Sequence, residues 1–134
     1  MHAVRVHAYI IETSGGLAGV KDLARIESVL DHIRNDEYYP SLCDKLTHLV
    51  FSIIKFHAFN DGNKRASIGL GAYFLEINGF DYCVERFIKE CENIVVWVAE
   101  NRISKSLLCR LLTSIVFEDD YDEALKLEYL DAIS

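Results

Sequence analysis

The sequence predicts an all-α protein that folds as one bundle of about six or seven helices around a central apolar helix. Only one proline occurs in 134 residues, and 51% of the residues are hydrophobic. Apolar residues recur three and four positions apart in several segments, which is the spacing of one helix face. A chain of this length and hydrophobicity can bury a core without disulfides or metals. We therefore expect one domain over residues 1–118 and an acidic C-terminal extension over 119–134.

Four segments carry an apolar stripe with helical spacing. The clearest runs from Leu42 to Ile54, directly after Pro40-Ser41, and Ser41 is its candidate N-cap. The other three stripes cover residues 23–33, 84–98 and 103–116. The chain ends are predicted as two further helices, residues 2–12 and 121–133.

The segment Ala66–Ile77 is different because it is apolar nearly all round. A helix of this composition belongs at the centre of a bundle. Gly69 and Gly71 are small enough to let neighbouring helices approach closely, and Asn78-Gly79 supplies a C-terminal stop.

The charge distribution argues against nucleic acid as the main partner. The net charge is −7, and −6 of it falls on residues 118–134, which contain seven acidic residues and one lysine. No basic stripe is available to neutralise a phosphate backbone. The acidic tail could face a basic partner or form a solvated end.

The sequence also predicts a cytoplasmic protein. No apolar run approaches the roughly 20 residues that a membrane span needs, and no secretory signal pattern is visible. Four cysteines are spread along the chain without a C-x-x-C pair, which is typical of thiols in a reducing compartment: Cys43, Cys83, Cys91 and Cys109.

Polar residues are concentrated between the Leu42 helix and the Ala66 helix, in the stretch His57-Ala-Phe-Asn-Asp-Gly-Asn-Lys-Arg65. His57 is the nearby side chain that can accept a proton from a hydroxyl near pH 7. Asp61 is a candidate Mg²⁺ ligand. Phe59 is a candidate apolar anchor that holds this stretch in the core.

The second half of the stretch predicts a phosphate site. Gly62 and Asn63 tolerate left-handed backbone angles, so they can turn N–H groups inward as the next helix starts. Lys64 and Arg65 place two cations at a helix N-terminus, where the helix dipole favours anions. Alternatives for single residues are a helix-capping role for His57, a turn or cap role for Asp61, and solvated charges for Lys64 and Arg65.

These nine residues resemble the signature of the Fic/Doc superfamily. Its Fic branch has H-P-F-x-D/E-G-N-G-R, and its Doc branch has H-x-F-x-D/N-A/G-N-K-R. The chain is similar to the second form because Lys64 stands where Fic enzymes have glycine. Upstream, His7 to Asp22 and Ile26-Glu27-Ser28 are also similar to the Doc pattern, although Ala8 replaces its usual aspartate.

The resemblance implies a Fic/Doc-type helical bundle and transfer of a phosphate-containing group from Mg²⁺/ATP to a protein hydroxyl. It implies that His57 is the general base and that Asp61 holds the metal. It also implies a nucleotide- or phosphate-binding set: Asn60, Gly62, Asn63, Lys64 and Arg65.

In the Doc branch, the resemblance implies that the lysine makes the nucleotide bind in the reversed orientation, with its γ-phosphate toward the acceptor. The γ-phosphate is then transferred to a threonine of elongation factor Tu. It further implies a toxin with a small antitoxin as partner. Fic-type AMP transfer is the alternative reaction. A non-catalytic module that binds an antitoxin-like helix is the alternative of another class.

Overall fold

The computed structural model describes residues 31–33, 35–56 and 62–134, and this part of the chain contains helices and no strands. Its helices, in chain order, are α1 (Leu42–Phe56), α2 (Asn63–Ile77), a short 3-10 helix (Asp81–Cys83), α3 (Val84–Ala99), α4 (Lys105–Phe117) and α5 (Glu123–Ile133). The all-α prediction is confirmed. The predicted N-terminal helix and nearly all of the 23–33 stripe lie outside the described residues.

Helix α1 begins where the sequence predicts. The Ser41 hydroxyl accepts a hydrogen bond from the Asp44 backbone N–H at 3.0 Å, and the Asp44 carboxylate accepts one from the Ser41 N–H at 3.3 Å. This reciprocal cap satisfies N–H groups that the helix itself leaves unpaired. The predicted apolar stripe is buried along the length of α1: Leu46, Leu49, Val50, Ile53 and Ile54.

Helix α2, the predicted central segment, packs against both α1 and α3. Gly71 makes the approach possible, because a Cβ there would lie 2.6 Å from Cζ of the fully buried Phe87 and 3.2 Å from Cγ2 of Val50. The predicted close approach at Gly71 is therefore confirmed. Any larger residue would force these side chains apart.

The Asn78-Gly79 stop is also confirmed. Gly79 has φ of 84°. The Gly79 N–H donates to the Glu76 carbonyl at 3.2 Å, and the Phe80 N–H donates to the Leu75 carbonyl at 2.8 Å. This is a Schellman-type end, which uses a left-handed residue to satisfy the last carbonyls of a helix.

The acidic tail forms helix α5, as predicted for residues 121–133. Leu125 is buried, and the half-buried Tyr121 and Tyr129 rings pack against the same core as the other helices. Arg110 of α4 pairs with Glu128 through both of its terminal nitrogens. Residues 119–134 therefore pack on the bundle, and the boundary at residue 118 remains a prediction.

Three of the four cysteines are buried, and all four are free thiols: Cys43, Cys83 and Cys91 are buried and Cys109 is half-buried. Burial raises the pKa of the Cys43, Cys83 and Cys91 thiols above the ordinary value. These thiols are protonated at neutral pH and act as small apolar side chains. Among the helices described, none is long and apolar enough to cross a membrane.

Candidate active site

The polar stretch connects two helices that pack side by side. Helix α1 ends at Phe56 and α2 begins at Asn63, and the two helices pack closely together. A six-residue connection, residues 57–62, joins them. Four predicted site residues lie outside the described residues: His57, Phe59, Asn60 and Asp61. Their roles remain predictions.

The turn into α2 has the predicted left-handed geometry at Gly62. Gly62 is the N-cap residue, with φ of 74° and ψ of 26°, and its carbonyl accepts the first bond of the helix from the Ala66 N–H at 2.7 Å. Asn63 does not share this geometry, because it is the first helical residue and has no positive φ. One left-handed residue is enough to turn the chain into the helix.

The first turn of α2 is positively charged. Lys64 and Arg65 are both exposed, and this turn contains no acidic residue. The positive end of the helix dipole lies at the same point, so cations there lower helix stability by a few tenths of a kcal/mol each. An anion at this end would be attracted by the dipole, by the first N–H groups and by both side chains.

The donor chemistry of this end fits the phosphates of a nucleotide. A left-handed glycine, helix N–H groups and two exposed cations are phosphate ligands in many proteins. The predicted metal ligand, Asp61, lies outside the described residues. Elsewhere in the described chain, no three His, Cys, Asp or Glu residues cluster in a way that could hold a metal ion.

A polar cluster between α1 and α4 was not predicted from the sequence. His48 lies off the apolar stripe of α1, yet only 7% of it is exposed. The Tyr39 ring stacks on it at 4.5 Å between centroids, and the Lys105 Nζ donates to His48 Nδ1 at 3.0 Å. Burial, followed by the Lys105 charge and His32, lowers the pKa of His48 to about 4. His48 is therefore neutral at pH 7.

An open cavity of about 470 Å³ lies beside this cluster, between the first half of α1, the preceding loop and the start of α4. Its lining mixes aromatic, charged and small polar side chains, including Tyr38, Tyr39, Asp44, Lys105 and Arg110. No local spacing could have indicated this site, because Lys105 and His48 are 57 positions apart.

Comparison with known proteins identifies relatives. A family model described as the Fic/DOC family matches residues 2–75. "Protein kinase doc" of Escherichia phage P1 is 31% identical over 80 residues, which cover 57% of this chain and 63% of that protein. "Toxin Doc" of Mycolicibacterium smegmatis is 30% identical over 89 residues, which cover 63% of this chain and 68% of that protein. The chain thus matches slightly less than two thirds of the phage protein's length.

Proposed function

Because the chain belongs to the Fic/DOC family and is Doc-like, we propose that it transfers the γ-phosphoryl group of ATP to a hydroxyl of a target protein. In this reaction the bond between the γ-phosphorus and the acceptor oxygen forms, and the bond to the β-phosphate oxygen breaks. ADP leaves with that oxygen. His57 accepts the proton that the acceptor hydroxyl loses.

The start of α2 is the observation that carries the proposal. Gly62 turns left-handed directly before the helix, and Lys64 and Arg65 are exposed in its first turn. A helix end that favours anions and also carries two cations is suited to polyphosphate. Lys64 adds bulk and a point charge where Fic enzymes have glycine, which supports γ-phosphoryl transfer over AMP transfer.

The remaining motif residues have proposed roles in the same reaction. Asp61 holds Mg²⁺, and Asn60 and Asn63 contact the nucleotide. Phe59 anchors the connection so that His57 points at the acceptor. When bound, Mg²⁺ supplies positive charge that offsets the charge on the phosphate oxygens.

The names of the relatives support the biological setting that we propose. One is called a protein kinase and the other a toxin. We infer that this chain is a cytoplasmic toxin that blocks translation by modifying a translation factor, with elongation factor Tu as the first candidate. A small antitoxin is its proposed partner. The domain that carries this activity is proposed to span residues 1–118.

Transfer from ATP labelled at either the α- or the γ-phosphate tests the reaction. The purified chain is incubated with Mg²⁺, each labelled ATP and a translation extract, and proteins are separated by size. We expect one band labelled from γ-ATP alone, and no band with the His57→Ala variant. Label from α-ATP would establish AMP transfer instead. No label from either would support the non-catalytic module.

A further inference from the structure

Lys55 and Lys105 both lie near the ring of Phe51, in the C-terminal half of α1. This half of α1 leads into the candidate site. Lys55 Nζ lies 5.6 Å from the centroid of the Phe51 ring, and Lys105 Nζ lies 5.8 Å from the same centroid. The two ammonium groups are therefore no farther apart than these distances together. Lys105 also lies 5.7 Å from the centroid of Tyr39. We call these four residues the lysine surface.

Both lysines donate to neutral acceptors. Lys55 donates to the side-chain oxygen of Asn101, and Lys105 donates to His48 Nδ1 at 3.0 Å. In the described part of the chain, neither lysine forms an ion pair with a carboxylate. Four other described cations do have carboxylate partners: Lys45, Arg102, Arg110 and Lys126.

Among the described residues that line the cavity, Asp44 is the carboxylate, and its oxygens accept from groups other than Lys105. The Asp44 oxygens accept from the Ser41 N–H at 3.3 Å and from the Cys109 thiol at 3.8 Å. Arg110, which also lines the cavity, is paired with Glu128. The two positive charges of the lysine surface thus have no negative partner among these groups, although the protein as a whole carries −7.

The position of the lysine surface connects it to the candidate site. Lys55 is in the last turn of α1, two residues before His57, and its bond to Asn101 places the start of the α3–α4 connection at the same end. Lys105 is the first residue of α4, so the positive end of that helix dipole adds to the two side chains. Lys105 is exposed, while Lys55 and Phe51 are half-buried.

We propose that the lysine surface and the adjoining cavity dock an acidic segment of the protein substrate beside the candidate site. This inference rests on the proposed function, since it assigns the substrate's docking site to the same face. Carboxylates of the segment would pair with Lys55 and Lys105, for which the described residues supply no carboxylate partner. An apolar residue of the segment would contact the exposed part of the Phe51 ring.

A binding measurement that does not depend on catalysis tests the proposal. The probe is a fluorescein-labelled peptide of alternating glutamate and alanine, measured by anisotropy at low salt. The test variant is Lys55→Gln/Lys105→Gln, because glutamine removes the charge and keeps an N–H donor for Asn101 and His48. The control is Lys89→Gln/Lys126→Gln, which has the same net charge and changes exposed lysines on α3 and α5.

We expect the test variant to bind the peptide at least tenfold more weakly than the control variant, with the difference shrinking as salt rises. A Lys55→Arg/Lys105→Arg variant should bind as the native protein does. Equal losses in the two glutamine variants, or no binding by the native protein, would overturn the proposal. Thermal unfolding of each variant establishes that it is folded.

Transfer kinetics then separate this inference from the proposed function. With a labelled protein acceptor, the test variant should show at least a fivefold higher KM for the acceptor and a KM for ATP within twofold of the native value. A rise in the KM for ATP alone would mean that the lysines bind nucleotide, and it would overturn the docking proposal. Absence of any transfer by the native protein would refute the proposed function, while the peptide measurement would still decide the docking site.

Discussion

The N-terminal ends of α2 and α5 differ in their capping residue and in the charge of their first turn. Helix α5 begins with Asp122, whose carboxylate accepts from the Leu125 N–H at 2.8 Å, and Glu123 is in its first turn. Helix α2 begins with Gly62, which has no side chain to act as a cap, and its first turn contains Lys64 and Arg65. The first arrangement stabilises a helix, whereas the second lowers helix stability.

This difference indicates that one helix start stabilises the fold and the other is suited to an anionic ligand. A helix that only needs to fold is capped with acidic or hydroxyl side chains, as α1 and α5 are at Ser41 and Asp122. At the start of α2, the N-cap residue Gly62 makes no side-chain cap, and Lys64 and Arg65 are exposed in the first turn. Helix α4 is intermediate, because Ser104 caps it but Lys105 is its first residue. Helices α2 and α4 both have a cation and no acidic residue in the first turn, and both face proposed anionic ligands.

Reversing the charge at the start of α2 should have the largest effect, because it should lower transfer while raising the free energy of unfolding. We expect Lys64→Glu to lower transfer at least about 100-fold, because it repels the phosphates. The same change should raise the free energy of unfolding by about 0.5 kcal/mol, because an acidic side chain suits the helix dipole. Urea unfolding and labelled-ATP transfer measure the two effects. Lys89→Glu, on the exposed face of α3, is the control and should leave transfer unchanged.

Burial of His48, together with the Lys105 charge at the start of α4, should make stability depend on pH. The folded pKa of His48 is about 4 against an ordinary value of 6.5. The unfolded chain therefore binds a proton first as pH falls, and the folded state loses stability from about pH 6.5 downward. We expect a loss of about 2 kcal/mol between pH 8 and pH 5. The slope in this window should be much smaller in His48→Gln, and an equal slope would contradict the assignment.

The two left-handed glycines of α2 provide a matched pair. Gly62 has φ of 74° before the helix and Gly79 has φ of 84° after it. Each glycine-to-alanine change should cost about 1–2 kcal/mol, because both put a Cβ on a left-handed residue. Open space surrounds the position of the Gly79 Cβ. Only Gly62→Ala should also reduce transfer; if Gly79→Ala reduces it equally, the role of Gly62 is structural.

Removing the cap of α5 should have the smallest effect. Asp122→Ala loses the bond to the Leu125 N–H, which is worth about 1 kcal/mol in comparable caps. Transfer should remain at the native level, because α5 begins far along the chain from the motif and carries none of its residues. Chemical denaturation measures the free energy of unfolding, and the labelled-ATP assay measures transfer. A loss of transfer beyond the loss of folded protein would connect the tail to the site.

Local sequence patterns predicted the helices because the interactions that form a helix lie within four residues. Ser41 and Asn78-Gly79 each determine a boundary through such contacts. The nine-residue motif carried the resemblance to the family, and the left-handed turn at Gly62 before α2 is a local feature of the same kind. Gly62 and Asn63 both tolerate left-handed angles, and of the two only Gly62 adopts them, because a residue type permits that conformation without requiring it.

The sequence by itself determined the all-α class, the approximate positions of α1 to α5 and the family, while the tertiary structure decided how distant polar residues pair. Nothing in the sequence connects Lys105 with His48 or Lys55 with Asn101, because each pair meets only when α4 and its preceding turn pack on α1. The burial of His48 follows from that packing, as does the pairing of the two lysines with neutral acceptors. Such contacts depend on the arrangement of whole helices, which local periodicity does not specify.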